Sequence, residues 1–197
     1  MKTLVLDTCH KNIVVGCFED DTCLSFVSES CWKRQSERFF EEVNNCMKEA
    51  NWEPKDIDQI VITDGPGSYT GERIAMTFAK VLCTRKPINL YTVRTYMIFA
   101  GKESCEVILD ARSNRAYCGI CENGQLVSES IKTLDEVKED KEKGLNIVGD
   151  VELIGMEPQN IQFVQNFMDI KEHWNKVENV HTLTPHYLKS KEELVQW

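Results

Sequence analysis

Positive charge is scarce in this chain. Its 197 residues carry 23 Lys and Arg against 32 Asp and Glu, a formal net charge of −9. Such a balance argues against an unaided grip on nucleic-acid phosphates and against a polybasic membrane anchor. Nor does any uninterrupted apolar run approach the ~20 residues of a membrane span. The opening MKTLVLDTCHKN turns polar too early for a signal peptide and offers no small-residue cleavage site. A cytoplasmic location is therefore expected. A regular cysteine framework is missing as well: there are nine cysteines, an odd number at irregular spacing. In a reducing compartment most of them read as small buried hydrophobes.

What is present is the mixture of a soluble globular protein, 42% hydrophobic and 28% charged. The length suits one domain or two small lobes, and at this size no disulfide or metal staple is required. Three β-like segments open the chain, at residues 3–6, 13–18 and 23–27, with polar turns between them that predict an antiparallel meander. A helix follows over residues 35–50, its apolar stripe made of Phe39, Phe40, Val43, Cys46, Met47 and Ala50. Then come a strand at 60–63, a glycine-rich turn, a helix from Gly71 or Glu72 to about Thr84, and a strand at 88–93. Three strands, helix, strand, helix, strand is the order of a ribonuclease-H-like lobe. The order restarts more faintly, with strands at 107–110, 116–121 and 125–128, a charged helix or loop at 133–143, and a strand at 147–148. The expected domains are residues 1–101 and a smaller lobe at 102–197.

The most informative stretch is Gly65-Pro66-Gly67-Ser68-Tyr69-Thr70-Gly71-Glu72-Arg73-Ile74. Three glycines and a proline between strand and helix allow positive φ and close backbone approach, and amides at a helix start can cradle an anion. A phosphate-binding P-loop would place a lysine after the last glycine. Glu72 stands there instead and would repel phosphate. A structural turn and a nucleotide contact both remain open on this reading.

GPGSYTGERI followed by AMTFAK resembles the glycine-rich signature of the TsaB (YeaZ) family. Three further resemblances fall in register: Leu4-Val5-Leu6-Asp7-Thr8 near the start, Leu109-Asp110-Ala111-Arg112 with Tyr117 after it, and Pro185-His186-Tyr187-Leu188-Lys189 near the end. Together they span nearly the whole chain. The sequence also departs from the pattern. Glu72 replaces a usual leucine, Gln35-Ser36 stands where a histidine-serine pair often sits, Cys9-His10 replaces small hydroxyl residues, and Lys189 replaces arginine. The stretch between Pro158 and Thr184 is short for the family's last long helix, which is therefore expected to be reduced.

The resemblance implies an α/β protein of two ribonuclease-H-like lobes of the actin/Hsp70-like (ASKHA) superfamily, the second lobe degenerate. It implies a non-catalytic, glycoprotease-like relative of TsaD in the pathway to N6-threonylcarbamoyladenosine at position 37 of tRNAs reading ANN codons. Such a chain docks on a TsaD-like protein, works beside a TsaE-like ATPase, meets tRNA only through the complex, and forms a homodimer when alone. ATP is used by the partners, so no catalytic residue, cofactor or metal is expected here. The second helix bears on docking. Ile74, Ala75, Phe78, Val81 and Leu82 are assigned to its core side, and a separate small-residue stripe of Met76, Ala79 and Cys83 to a partner helix.

Two rivals use other residues. An active actin-like ATPase or small-molecule kinase would use Asp7, at the end of the first strand, with the 65–71 turn. A redox or zinc module would use Cys118-Gly119-Ile120-Cys121. On a strand, however, positions three apart point to opposite faces, and no second C-x-x-C accompanies it. His181 and His186 lack the i, i+4 spacing of a helical zinc pair.

Overall fold

Alternating small and β-branched residues build two sheets. The computed structural model describes residues 1–31 and 34–189. Strands β1 (Lys2–Asp7), β2 (Asn12–Glu19) and β3 (Thr22–Ser30) form the antiparallel meander. Helix α1 (Gln35–Glu49) leads to β4 (Gln59–Thr63), which pairs parallel to β1, and α2 (Gly71–Arg85) leads to β5 (Asn89–Val93), parallel to β4. Period-two alternation divides the side chains of β1 cleanly: Leu4 and Leu6 face α1 and α2, while Val5 faces the other way.

After the short helix α3 (Thr95–Ala100), capped by Gly101, the pattern repeats. Strands β6 (Cys105–Asp110), β7 (Arg115–Glu122) and β8 (Gln125–Thr133) form a second meander. Helix α4 (Leu134–Glu142) then returns the chain to β9 (Ile147–Gly149), parallel to β6. The first sheet runs β5-β4-β1-β2-β3, with a sixth strand added at the β5 edge by a later segment, and the second runs β8-β7-β6-β9, so the second repeats the first without a counterpart of β5. This is a pair of ribonuclease-H-like lobes with a degenerate second member.

Between the sheets lies a core shared by both lobes. Val5, Val14, Phe18 and Val61 meet Val107, Leu109 and Cys121 there, around α3 and the short helix α5 (Phe163–Asp169). A second core fills the space between the first sheet and α1 and α2, and a small third one lies under α4.

The end of the described chain departs from the expected second lobe. Past α5 it returns to the first sheet as the two-residue strand β10 (Asn175–Lys176), antiparallel to β5 at its edge. Residues 181–189 then run along both lobes. The last eight residues of the expected second lobe lie outside the described residues. Among the described residues no helix is long and apolar enough to cross a membrane.

Candidate functional site

The loop after β1 sets one wall of an interlobe cleft. Asp7 Oδ1 accepts the Cys9 amide at 2.9 Å and also the Thr63 hydroxyl, which folds the chain back at residues 8–9. Thr8 Oγ1 then donates to the Gly71 carbonyl at 2.6 Å and accepts from the Ala75 amide at 3.2 Å, locking this loop to the start of α2. Contact is so close that a Cβ on Gly71 would lie 2.0 Å from the Thr8 oxygen, and one on Gly67 2.1 Å from the Cys9 oxygen. Both glycines are therefore fixed by close approach, and of the three only Gly65 has positive φ.

Three amides of the turn, those of Gly67, Ser68 and Gly71, are committed inside the protein. Ser68 N–H donates to the Cys9 carbonyl at 2.7 Å and Gly71 N–H faces Ser68 Oγ at 3.3 Å. The Gly67 amide bonds to the Glu72 carboxyl. These three amides are not offered to a phosphate, since each already bonds to protein. Asp7, the acid of the rival ATPase reading, is 1% exposed and does not line the cleft. Burial raises its pKa, against the hydrogen bonds from Thr63 and Cys9.

Glu72 is the unexpected member of the turn. It is 2% exposed, its Oε2 has no hydrogen-bond partner, and burial, helped by the charge of Asp64, pushes its pKa up to about 8 against the Gly67 amide. Asp64 itself, paired with Arg94, is also raised by burial, against the pull of that arginine.

The opposite wall comes from the second lobe. Asp110 Oδ1 accepts the Arg112 amide at 2.8 Å and its Oδ2 pairs with the Arg112 guanidinium at 3.1 Å. This holds a turn in which Arg112, Ser113 and Asn114 all have positive φ. Across the cleft, His10 Nε2 and Lys11 Nζ reach Asp150 at 2.9 and 3.2 Å. Burial would raise the Asp150 pKa, but the His10 contact, the Asp110 amide and Lys11 outweigh it and hold it at about 2. The cleft between these walls measures about 790 Å³.

The four sequence motifs converge here. Asp7-Thr8 carries the 65–71 turn, Tyr187 stacks on Tyr69 at 5.3 Å, and Arg73 Nε donates to Tyr187 at 2.9 Å. Lys189 bonds the Ala111 carbonyl and lies 5.8 Å from the Tyr117 ring. Pro66 is buried beneath the turn, Ser68, Tyr69 and Thr70 are exposed on it, and half-buried Pro185 leads into His186.

Met76, Ala79 and Cys83 do not join them, and the expected partner stripe needs correction. Met76 and Ala79 are 3% and 0% exposed in the core beneath α2, and Cys83 packs half-buried against the same core. Small residues let α2 sit close on its own sheet. The bulky side chains are left outward: Phe40 is 57% and Val81 51% exposed. With Ile74, Phe78, Tyr69 and Arg73 they line an apolar groove of about 540 Å³ between α1 and α2. Phe78 meets Phe39 and Phe40 edge-on at 5.4 and 5.9 Å. The sequence showed two apolar stripes on α2. The clue to their order was size: alanines belong where backbones approach, and a second aromatic beside Phe39 has no room under the helix.

Cys118 and Cys121 lie on opposite faces of β7, in the third and the shared core, and burial pushes both thiols up to about 12. Side chains placed so cannot bridge or share one metal. Among the described residues no three His, Cys, Asp or Glu side chains are grouped to hold an ion.

A family model described as TsaD, tRNA N6-adenosine threonylcarbamoyltransferase, matches residues 26–152. The tRNA threonylcarbamoyladenosine biosynthesis protein TsaB of Bacillus subtilis is 25% identical, with 100% of this chain and 98% of that protein covered. TsaB of Buchnera aphidicola subsp. Acyrthosiphon pisum is 24% identical, with 82% and 77% covered. In structure, YeaZ from Pseudomonas aeruginosa superposes with a TM-score of 0.72 at 19% identity, covering 95% of this chain and 99% of that one, and so shares the fold. With its four motifs gathered at one cleft and this fold in common, the chain belongs to the TsaD family and stands among its TsaB (YeaZ) members.

Proposed function

We propose that this chain is a non-catalytic, cytoplasmic subunit of the machinery that makes N6-threonylcarbamoyladenosine at position 37 of tRNAs reading ANN codons. It docks on a TsaD-like protein through the α1–α2 groove and supports threonylcarbamoyl transfer there. The names of its TsaB relatives support a place in this biosynthesis. The observation that carries the docking is the apolar face of exposed Phe40 and Val81 with half-buried Ile74 and Phe78, since two helices serving only their own domain need no second apolar face. A relative sharing the same lobe would offer a matching helix pair, and a second copy of this chain takes that place when the partner is absent. A net charge of −9 suits a protein that meets tRNA only through the complex. The committed Gly67, Ser68 and Gly71 amides and the buried Asp7 suit one that leaves ATP to its partners, including a TsaE-like ATPase.

The test is Val81→Arg. In the free protein the arginine lies in water. In the complex it would be buried unpaired, at a cost of about 3 kcal/mol or more, which weakens binding by about a hundredfold. The variant should melt like wild type, elute as a monomer, and fail to capture the TsaD-like protein or to support tRNA modification with it. Undiminished capture would overturn the docking face.

A further inference from the structure

Residues 181–189 touch both lobes and the groove at once. On the first lobe, Lys80 Nζ donates to the carbonyls of His181 and Leu183 at 3.3 and 2.8 Å, and the His186 amide donates to the Asp64 carbonyl at 2.7 Å. On the second lobe, the ring of the same His186 lies 2.6 Å from Glu129 Oε1 on β8, and Lys189 reaches the Ala111 carbonyl. Between these anchors Tyr187 holds the end of the groove. Its ring stacks on Tyr69, its hydroxyl accepts from Arg73, and the Arg73 guanidinium lies 4.2 Å over the Tyr69 ring.

We propose that residues 181–189 form a strap that couples the angle between the lobes to the shape of the docking groove. The coupling rests on the docking face proposed above. Tyr69 lines both features, the cleft and the groove, and Arg73, against its ring, ends the groove. With the strap engaged, Tyr187 fixes this pair and His186 and Lys189 fix the second lobe. When the strap lets go of Glu129 and Ala111, the second lobe is left to the shared core and the His10 and Lys11 contacts to Asp150, and the Tyr69–Arg73 end of the groove loses the ring it rests on. A partner that packs on the ordered pair binds the engaged state better, and by linkage it tightens the lobes by the same factor.

The decisive variant is His186→Ala in the full chain. It cuts the tie to Glu129, and His186 does not line the groove. Amide hydrogen exchange is followed in the free protein, and affinity for the TsaD-like protein is measured beside it. Exchange should quicken by about tenfold at residues 67–73 and at 125–131 together, and partner affinity should fall by about tenfold. Lys189→Ala, which frees the Ala111 carbonyl, should move the same two regions and serves if the first variant misfolds. Exchange that changes only beside the substituted residue, with unchanged partner affinity, overturns the coupling. If the wild-type chain itself fails to bind the TsaD-like protein, the docking reading falls, and joint or separate exchange at the two regions still decides the strap.

Discussion

Leu4, Leu6 and Val15 in the first lobe lie under two fifteen-residue helices, whereas Ile108 and Cys118 on the matching strands of the second lie under a nine-residue helix that buries Val137 alone. The first sheet is covered on both faces. The second is firmly covered only where it meets the shared core, and β8 is largely exposed at its edge. The first lobe has apolar surface to spare and turns the excess outward as a groove. The second has little core of its own and borrows its stability from the interface. What the second lobe does supply is one wall of the cleft.

The largest expected effect distinguishes the two faces of α2. Ala79→Arg forces a charge into the first lobe's core and should cost about 4 kcal/mol or more, read as loss of the cooperative melting transition. Val81→Arg two residues on should leave that transition in place. If Ala79→Arg folds normally, the assignment of faces is wrong.

The comparison of lobes is sharpened by removing one side chain from each outer core. Phe39→Ala, fully buried between α1 and the first sheet, should cost about 3–4 kcal/mol. Val137→Ala in the thin outer layer of the second lobe should cost about 1–1.5 kcal/mol. Denaturant midpoints measure both, and equal losses would mean that the second lobe carries a core as weighty as the first.

Between these in size lies the first lobe's own weak point. The Glu72 carboxyl titrates near 4.5 in the unfolded chain and at about 8 in the folded one, so folding takes up a proton between those values. Its contribution to stability is whole below about pH 4.5 and is lost as pH rises through about 8. Glu72→Gln does not titrate. Its stability relative to wild type should therefore grow from pH 5 to pH 9, by a few kcal/mol. A difference that stays flat across that range would show that Glu72 is charged in the folded protein.

Four of the first lobe's five strands before residue 100 were legible within a residue at each end, because buried alternation and polar turns bound them, while β3 runs three residues past the expected 27, its polar Ser28–Ser30 end carrying no apolar signal. Helix α3 was not. All six of its residues are buried, and a segment with no polar face has no period to read. Strand β10 was hidden for another reason: two exposed residues, Asn175 and Lys176, join the sheet through backbone bonds that leave no pattern in side chains. The motifs pointed to the residues around the cleft, but not to how the turn uses its amides, since that depends on Thr8 and Cys9 approaching from a distant strand. The docking stripe was misplaced because two apolar faces on one helix look alike until the sheet beneath selects the small one. Glu72 stood out as an odd residue, but an acid in sequence carries no sign of its own burial.

The edge strand β10 also has a consequence for the order in which the molecule is made. The ribosome delivers β5 long before β10, so the emerging first sheet keeps one row of backbone donors and acceptors open while nearly half the chain is still being synthesised. An open edge beside a finished hydrophobic layer is a template for stray strands from neighbouring chains. Two residues are enough to cap it, and they arrive only after the second lobe has been laid down.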